Sequence, residues 1–144
     1  MSRKLSFGLA VASLSVVWAC SGGGSSPSEP VGQDSISLVT ITPADGTKLA
    51  AGSVVTFAAT LHYQLSSAAS GEIIEVIENQ NGGILTSGPQ FSVTVSRGQG
   101  SAQLADRITI PSSGVTQILV FFPLTPQGAN HTSIVATAAY PVGP

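Results

Sequence analysis

Residues 55–63 read VTFAATLHY, and larger apolar side chains alternate along this stretch with small or polar ones. Successive side chains of a β-strand point to opposite faces, so the five residues at odd positions, from Val55 to Tyr63, would share one face. A period of two that is kept over nine residues indicates a strand with one buried side. We therefore expect this stretch to form a central strand of the hydrophobic core.

Further β-patterned runs lie before and after this stretch, separated by segments rich in Gly, Pro, Asn, Asp and Ser. The predicted strands cover residues 36–41, 55–63, 72–78, 84–86, 91–96, 102–110, 115–124 and 134–140. Turns or loops are predicted between them, among them Pro43–Gly46, Ser66–Gly71, Asn79–Gly83, Arg97–Gly100 and Pro111–Gly114. This spacing predicts an all-β fold, an antiparallel β-sandwich of seven or eight strands, with a jelly roll or a small β-barrel as the alternative.

The chain begins with a pattern typical of exported proteins. Arg3 and Lys4 precede a weakly polar run from Leu5 to Ala19. A positively charged n-region followed by a run of about 15 residues of low polarity is characteristic of a signal peptide. Such a run is shorter than the roughly 20 residues of a membrane-spanning helix. We therefore predict that residues 1–19 are a signal peptide.

The end of this run, Val17-Trp18-Ala19-Cys20, resembles the lipobox of bacterial lipoproteins. The resemblance implies that the Cys20 thiol carries diacylglycerol and that cleavage before Cys20 creates an acylated amino terminus. Two or three acyl chains hold a protein at a membrane where one chain does not. Members of this family with serine after the cysteine are usually sorted to the outer membrane, so with Ser21 the resemblance also implies that location. Trp18 departs from the family pattern, so cleavage after Ala19 without lipidation, giving a secreted or periplasmic protein, is the alternative.

Residues 20–33 combine the lipidated cysteine with a Gly-, Ser- and Pro-rich segment, which is typical of a flexible linker with an average reach of roughly 20 Å. Residues 34–144 then form the folded domain. Its segment LAAGSVVTF, residues 49–57, resembles the second strand of bacterial immunoglobulin-like and fibronectin-type-III-like domains. The resemblance implies an immunoglobulin-like sandwich, although the bridging cysteines and buried tryptophan of antibody domains are absent from the sequence.

Charge and cysteine content exclude several classes of function. Beyond residue 19, three cations (Lys48, Arg97 and Arg107) face seven acidic residues, a net charge of −4. Three dispersed cations cannot neutralise the phosphate groups along a nucleic-acid backbone, so we expect no nucleic-acid partner. Cys20 is the single cysteine, which excludes an internal disulfide and a thiolate metal cluster. We expect no cofactor and no metal.

The titratable side chains form no recognisable catalytic pattern. His62 and His131 lie 69 positions apart, and we expect a surface position for the first and a loop position for the second. Glu72, Glu75 and Glu78 recur every third residue, but on a strand Glu75 points away from the other two, so we expect solvated charges and no metal site.

Asp106 and Arg107 are adjacent on a predicted strand and must point to opposite faces. An inward charge that prevents edge-to-edge aggregation is the ordinary explanation of such a pair. The sequence contains no Gly-rich phosphate-binding loop. Nothing in the local sequence identifies one of its serines as the nucleophile of a Ser–His–Asp triad, so we do not expect an enzyme.

The expected function is therefore that of a non-catalytic envelope lipoprotein. Held at the membrane through Cys20, the sandwich would bind or adhere to another envelope or extracellular component, a protein or a polysaccharide. Its expected contact surfaces are strand edges and the segments Ser66–Gly71, Asn79–Gly83 and Pro126–Asn130. The alternatives are a structural spacer or assembly subunit and, as the weakest, a small hydrolase.

Overall fold

The structure is a computed structural model of the 144-residue chain and describes residues 32–86 and 91–144. The predicted signal peptide (1–19), the lipidation site Cys20 and the linker up to residue 31 lie outside the described residues. Within the described ranges we find no helix with the length and apolar character of a membrane span.

The described part of the chain contains seven strands and no helix. The strands are β1 (Ser35–Thr42), β2 (Leu49–Ala50), β3 (Val54–Ile74), β4 (Val76–Asn79), β5 (Ser92–Thr109), β6 (Gln117–Pro126) and β7 (Val135–Gly143). Their order is β1-β3-β6-β7-β2, with β5 paired to β3 and β4 paired to β6.

The strands form two layers that share the β3–β5 ribbon. In layer one, β1 and the second part of β5 flank residues 54–65 of β3. Past a bulge between Leu65 and Ser70, β3 enters layer two, where it pairs with the end of β6. β4 continues along β6, β7 pairs with the other side of β6, and β2 follows β7.

The core lies between these layers and is formed by alternating positions. In β3 the side chains of Phe57, Ala59 and Leu61 are buried, as the sequence predicts. The facing positions of β6 are equally apolar and fully enclosed: Ile118, Val120, Phe122 and Leu124. The rings of Phe57 and Tyr140 join the two layers, with centroids 5.0 Å apart and planes inclined by 56°. This tilted arrangement is one that aromatic pairs favour.

Two predicted breaks in the strands are wrong. Residues 66–71 belong to β3 and residues 97–100 belong to β5, so each strand is about twice as long as expected. The two strands remain paired on both sides of the irregularity, with Leu65 opposite Gly98 and Ser70 opposite Ser96. The extra residues of β3 are accommodated as a bulge, and Gly98 has a φ of +110° that favours glycine. The turn-like composition therefore marks a bend in a continuous ribbon.

The predicted all-β sandwich of seven or eight strands is confirmed, with seven strands in the described residues. The expectation of purely antiparallel pairing is wrong at one place, because the two-residue β2 runs parallel to the end of β7. The other strand pairs are antiparallel. The path of the described strands does not close on itself, so the alternative of a small barrel is wrong.

Candidate functional site

One end of the sandwich is where the chain enters the domain. Asp34, just before β1, accepts hydrogen bonds from the main-chain N–H groups of Ser66 and Ser67 at 2.6 and 3.0 Å. Its second oxygen accepts from the Ser67 hydroxyl group. Burial acts to raise the pKa of Asp34, but these hydrogen bonds outweigh burial and lower it. The start of the domain is therefore fixed to the bulge of β3; we call this region the N-terminal end.

Two of the three predicted contact segments meet at this end. The Ser70 hydroxyl group donates to Gln127 Oε1 at 2.8 Å, and the Gln127 N–H donates to the Ser70 carbonyl at 2.8 Å. Gly71 is packed so tightly that a Cβ atom there would lie 2.9 Å from the Thr125 carbonyl oxygen. Residues 66–71 and 126–130 thus bind each other, which leaves less of them free than the sequence suggested.

The third predicted segment, residues 79–83, lies at the opposite end. Along β6, Gly71 is paired with Pro126 whereas Asn79 is paired with Ile118. Eight residues of strand at about 3.3 Å each separate these two pairs by roughly 26 Å. We call this region the far end.

The far end carries a group of connected turns, which we call the far-end cluster: residues 44–47, 79–83 and 112–116. Gln80 joins the second turn to the third, because its Nε2 donates to the Gly114 carbonyl at 3.0 Å and its Oε1 accepts from the Thr116 N–H at 3.2 Å. Asn79 Oδ1 accepts from the N–H groups of Asn81 and Gly83 at 2.9 and 3.0 Å. Side-chain amides therefore hold these exposed turns in defined positions.

The first turn of the cluster is bound to β7. Asp45 Oδ1 accepts from the Ala139 N–H at 2.8 Å, and the Gly46 N–H donates to the Ala139 carbonyl at 2.9 Å. The buried Tyr140 hydroxyl group donates to the Pro43 carbonyl at 2.8 Å. Sequence reasoning identified residues 43–46 and 111–114 as turns but did not place them beside residues 79–83, because only the sheet register brings them together.

His62 lies on the outer face of layer one, exposed as expected, beside a shallow open depression of about 430 Å³. The depression is lined by Ser35, Ser37, His62, Tyr63, Gln64, Gln99, Gly100 and Ser101. These lining residues provide hydroxyl and amide groups but no carboxylate. His131 is not among them, because it lies exposed in the connection between β6 and β7. The described residues therefore assemble no Ser–His–Asp arrangement around His62.

Glu75 contradicts the expectation of three solvated glutamates. It occupies the inward line of alternating positions 71, 73, 75 and 77 and is 0% exposed. Among the described residues, neither carboxylate oxygen has a hydrogen-bond partner. Burial raises the pKa of Glu75 to about 7, with a smaller contribution from the charge of Asp106. Glu72, in contrast, is exposed as expected.

Asp106 and Arg107 follow the sequence-based expectation. Asp106 points inward and is 8% exposed, while Arg107 points to solvent. Asp106 Oδ1 accepts from the Arg107 N–H at 2.6 Å. Across residues 32–86 and 91–144, no group of three or more His, Cys, Asp or Glu side chains is placed to hold a metal ion.

Comparisons with known proteins identify no family for this chain. No protein-family model matches the sequence, and no curated protein matches it. A similar solved structure is the crystal structure of the CARDB domain of the PF1109 protein in complex with di-metal ions, from Pyrococcus furiosus. The two chains are 12% identical with a TM-score of 0.48, over 76% of this chain and 92% of the other. At this identity and TM-score the likeness carries no argument about the fold or the function of this chain.

Proposed function

We propose that this protein is a non-catalytic envelope lipoprotein that presents its far-end cluster to another envelope or extracellular component. Removal of residues 1–19 would leave Cys20 as the lipidated amino terminus, and the protein would be held at the outer membrane. The partner would be a protein or a polysaccharide. In the alternative without lipidation, the same domain would act as a secreted or periplasmic binding module.

The position of Asp34 is the observation that supports this proposal best. Its three hydrogen bonds fix the chain entry to the N-terminal end, roughly 26 Å from the turns at the far end. A linker with an average reach of roughly 20 Å would keep the N-terminal end close to the membrane. The far-end cluster would then be the part of the domain that faces away from the lipid.

The internal bonding of the far-end cluster also supports a binding role. Exposed loops lose conformational entropy when a partner orders them, so loops that are already ordered bind with less cost. Gln80 and Asn79 provide that order through four hydrogen bonds to main-chain atoms of the turns. Binding residues are often carried on loops that a rigid scaffold positions.

The anchoring part of the proposal is tested by mass spectrometry of the mature protein from a bacterial host. We expect an amino-terminal peptide that starts at Cys20 and carries diacylglycerol and an acyl chain. The control is Cys20→Ser, which should shift the protein from the membrane fraction to the soluble fraction. An unmodified Cys20 in membrane-bound wild-type protein would contradict lipid anchoring.

The binding part is tested by site-specific photo-crosslinking in intact cells. A photoreactive residue at the exposed position Asn81 should give a discrete adduct, whereas the same residue at the exposed position Gln103, on the outer face of layer one, should not. The Gln80→Ala change, which removes the bridge between two turns, should weaken the adduct at position 81. Equal crosslinking at both positions would argue against a contact surface at the far end.

A second candidate, an assembly subunit, is favoured by the free edge of β5. Within the described residues, this strand of 18 residues pairs only with β3, so its other edge offers main-chain groups to a further strand. Sedimentation velocity over a range of protein concentrations separates the two candidates. A concentration-dependent oligomer would favour assembly, and a monomer at all concentrations would favour the binding module.

A further inference from the structure

The buried Glu75 is not used by the proposed binding function and lies in an unusual place. It is the single residue between β3 and β4, so it interrupts the strand that leads to the turn at residues 79–83. Its neighbours on the inward line, Ile73 and Ile77, are fully buried like Glu75 itself. A carboxylate without hydrogen bonds in such surroundings is strongly disfavoured, whereas the neutral acid is tolerated far better.

The groups around Glu75 do not compensate a negative charge. Asp106 of β5 acts on it with a charge of the same sign. Tyr140 of β7 interacts electrostatically with Glu75. Burial, and after it the charges of Asp45 and Glu75, raise the pKa of Tyr140 to about 12. The strands β1 and β6 contain no titratable side chain. An ionised Glu75 therefore destabilises the closed structure, and a change of structure that brings the carboxylate into water removes this destabilisation.

The segment that follows Glu75, β4, is short and has few strand pairs. β4 has four residues and pairs with β6 on one side. On its other side the described residues provide one bridge, from Glu78 to Ile84. The Leu85 N–H donates to the Ile77 carbonyl at 2.8 Å, and the Asn79 N–H donates to the Gly83 carbonyl at 2.9 Å. Glu75 itself is held by its N–H, which donates to the Phe91 carbonyl at 2.8 Å. Elements with few bonds open locally before the rest of a protein unfolds.

We propose that Glu75 is a proton-controlled switch: its neutral carboxyl group keeps β4 closed on the core, and loss of the proton to solvent opens β4 together with the turn at residues 79–83. The Gln80 bridge belongs to that turn, so opening would also release the far-end cluster. This last consequence rests on the proposed function, whereas the switch itself does not.

The size of the effect follows from the two proton affinities. The pKa of Glu75 is about 7 in the closed form and returns towards its usual value of 4.5 when the side chain reaches water. Because these two pKa values differ by 2.5, ionisation can increase the opening constant by at most about 300-fold. About 70-fold of this increase falls between about pH 5 and about pH 8.

Hydrogen exchange of the purified protein, corrected for the intrinsic pH dependence of amide exchange, tests the switch. The Leu85 amide reports opening of β4, and the global unfolding constant is measured with urea in the same buffers. We expect the opening constant at Leu85 to exceed the global constant and to rise about 70-fold from about pH 5 to about pH 8. A Leu85 amide that exchanges only through global unfolding, or without this rise, would overturn the proposal.

Matched variants show whether Glu75 is the group that titrates. Glu75→Gln should abolish the pH dependence at Leu85, whereas Glu72→Gln, which alters an exposed glutamate of β3, should leave it unchanged. If Glu75→Gln does not fold, carbon-detected titration of the Glu75 carboxyl group in the wild-type protein gives the same answer. A midpoint near 7 supports the switch, and one near the usual 4.5 overturns it.

Discussion

Replacing Glu75 with Gln should change how the stability of the whole domain depends on pH. Gln has nearly the shape of a protonated Glu but cannot ionise, so the variant keeps the neutral state of the buried side chain at every pH. The wild-type domain should lose stability as pH rises through the range where Glu75 ionises, and the variant should not. The effect is large because the Glu75 side chain is fully enclosed and its carboxylate finds no hydrogen-bond partner in the part of the chain that the structure describes.

The sign follows from the raised pKa. Between the unfolded value of 4.5 and the folded value of about 7, the folded state binds more protons than the unfolded state. The stabilisation is therefore complete below about pH 4.5 and is lost as pH rises through about 7. At about 1.4 kcal/mol per pKa value, the difference of 2.5 gives an upper limit of about 3 kcal/mol. Local opening of β4 would reduce this loss in the global free energy.

Other shifted groups titrate outside this range. The lowered pKa of Asp34 gives a stabilisation that is present above its unfolded value of 3.8 and is lost in acid. The pKa of Tyr140, raised from 10.0 to about 12, gives a stabilisation that is lost only in strong alkali. A slope between pH values of about 5 and 8 is therefore specific to Glu75 among the groups with shifted pKa values.

Urea unfolding followed by circular dichroism measures the effect directly. We expect wild type and Glu75→Gln to be similar in stability near pH 5, and the variant to be more stable by up to about 3 kcal/mol near pH 8. Asp106→Asn, which keeps an acceptor for the Arg107 N–H, should reduce the wild-type slope without removing it. Wild-type stability that stays constant or increases over this range would refute the reasoning.

Three further changes test the packing of the fold by urea unfolding at constant pH. Tyr140→Phe removes the buried hydroxyl group that donates to the Pro43 carbonyl and should cost about 1–2 kcal/mol; a neutral result would mean that water satisfies the carbonyl. Gly71→Ala places a methyl group against the Thr125 carbonyl and should cost about 1–3 kcal/mol, whereas Gly82→Ala, with free space around it, should show only the strain of its φ of +77°. Asp34→Ala should cost about 1 kcal/mol, and faster exchange of the Ser67 amide should accompany the loss.

The architecture was predictable from the sequence because alternation is a local signal. The run from Val55 to Tyr63 places its buried side chains as expected, and the apolar run at residues 115–124 becomes β6. The long strands were not predictable in the same way. Residues 66–71 and 97–100 contain Gly, Ser and Arg in turn-like order, and nothing in either segment alone shows that the two oppose each other across a bulge. That information is non-local and lies in the register.

The candidate site was predictable only in part for the same reason. Residues 79–83 were expected as a contact surface, but their bridge through Gln80 to residues 114–116 depends on which strands are neighbours. Alternation gave the direction of Glu75 correctly, opposite to Glu72. Its burial was not predicted, because whether the second face of a strand is covered depends on the opposing layer and not on the strand itself.

The location of Glu75 explains why its ionisation would open the chain on its carboxy-terminal side and not on its amino-terminal side. On its amino-terminal side lies the β3–β5 ribbon, in which strands of 21 and 18 residues are paired almost throughout, so local opening there would break many main-chain hydrogen bonds. On its carboxy-terminal side, three residues of β4 (76–78) separate it from the turn at residues 79–83. The free energy of opening is therefore smallest towards that turn, and the interior charge and the exposed far-end cluster are coupled through one short segment of the chain.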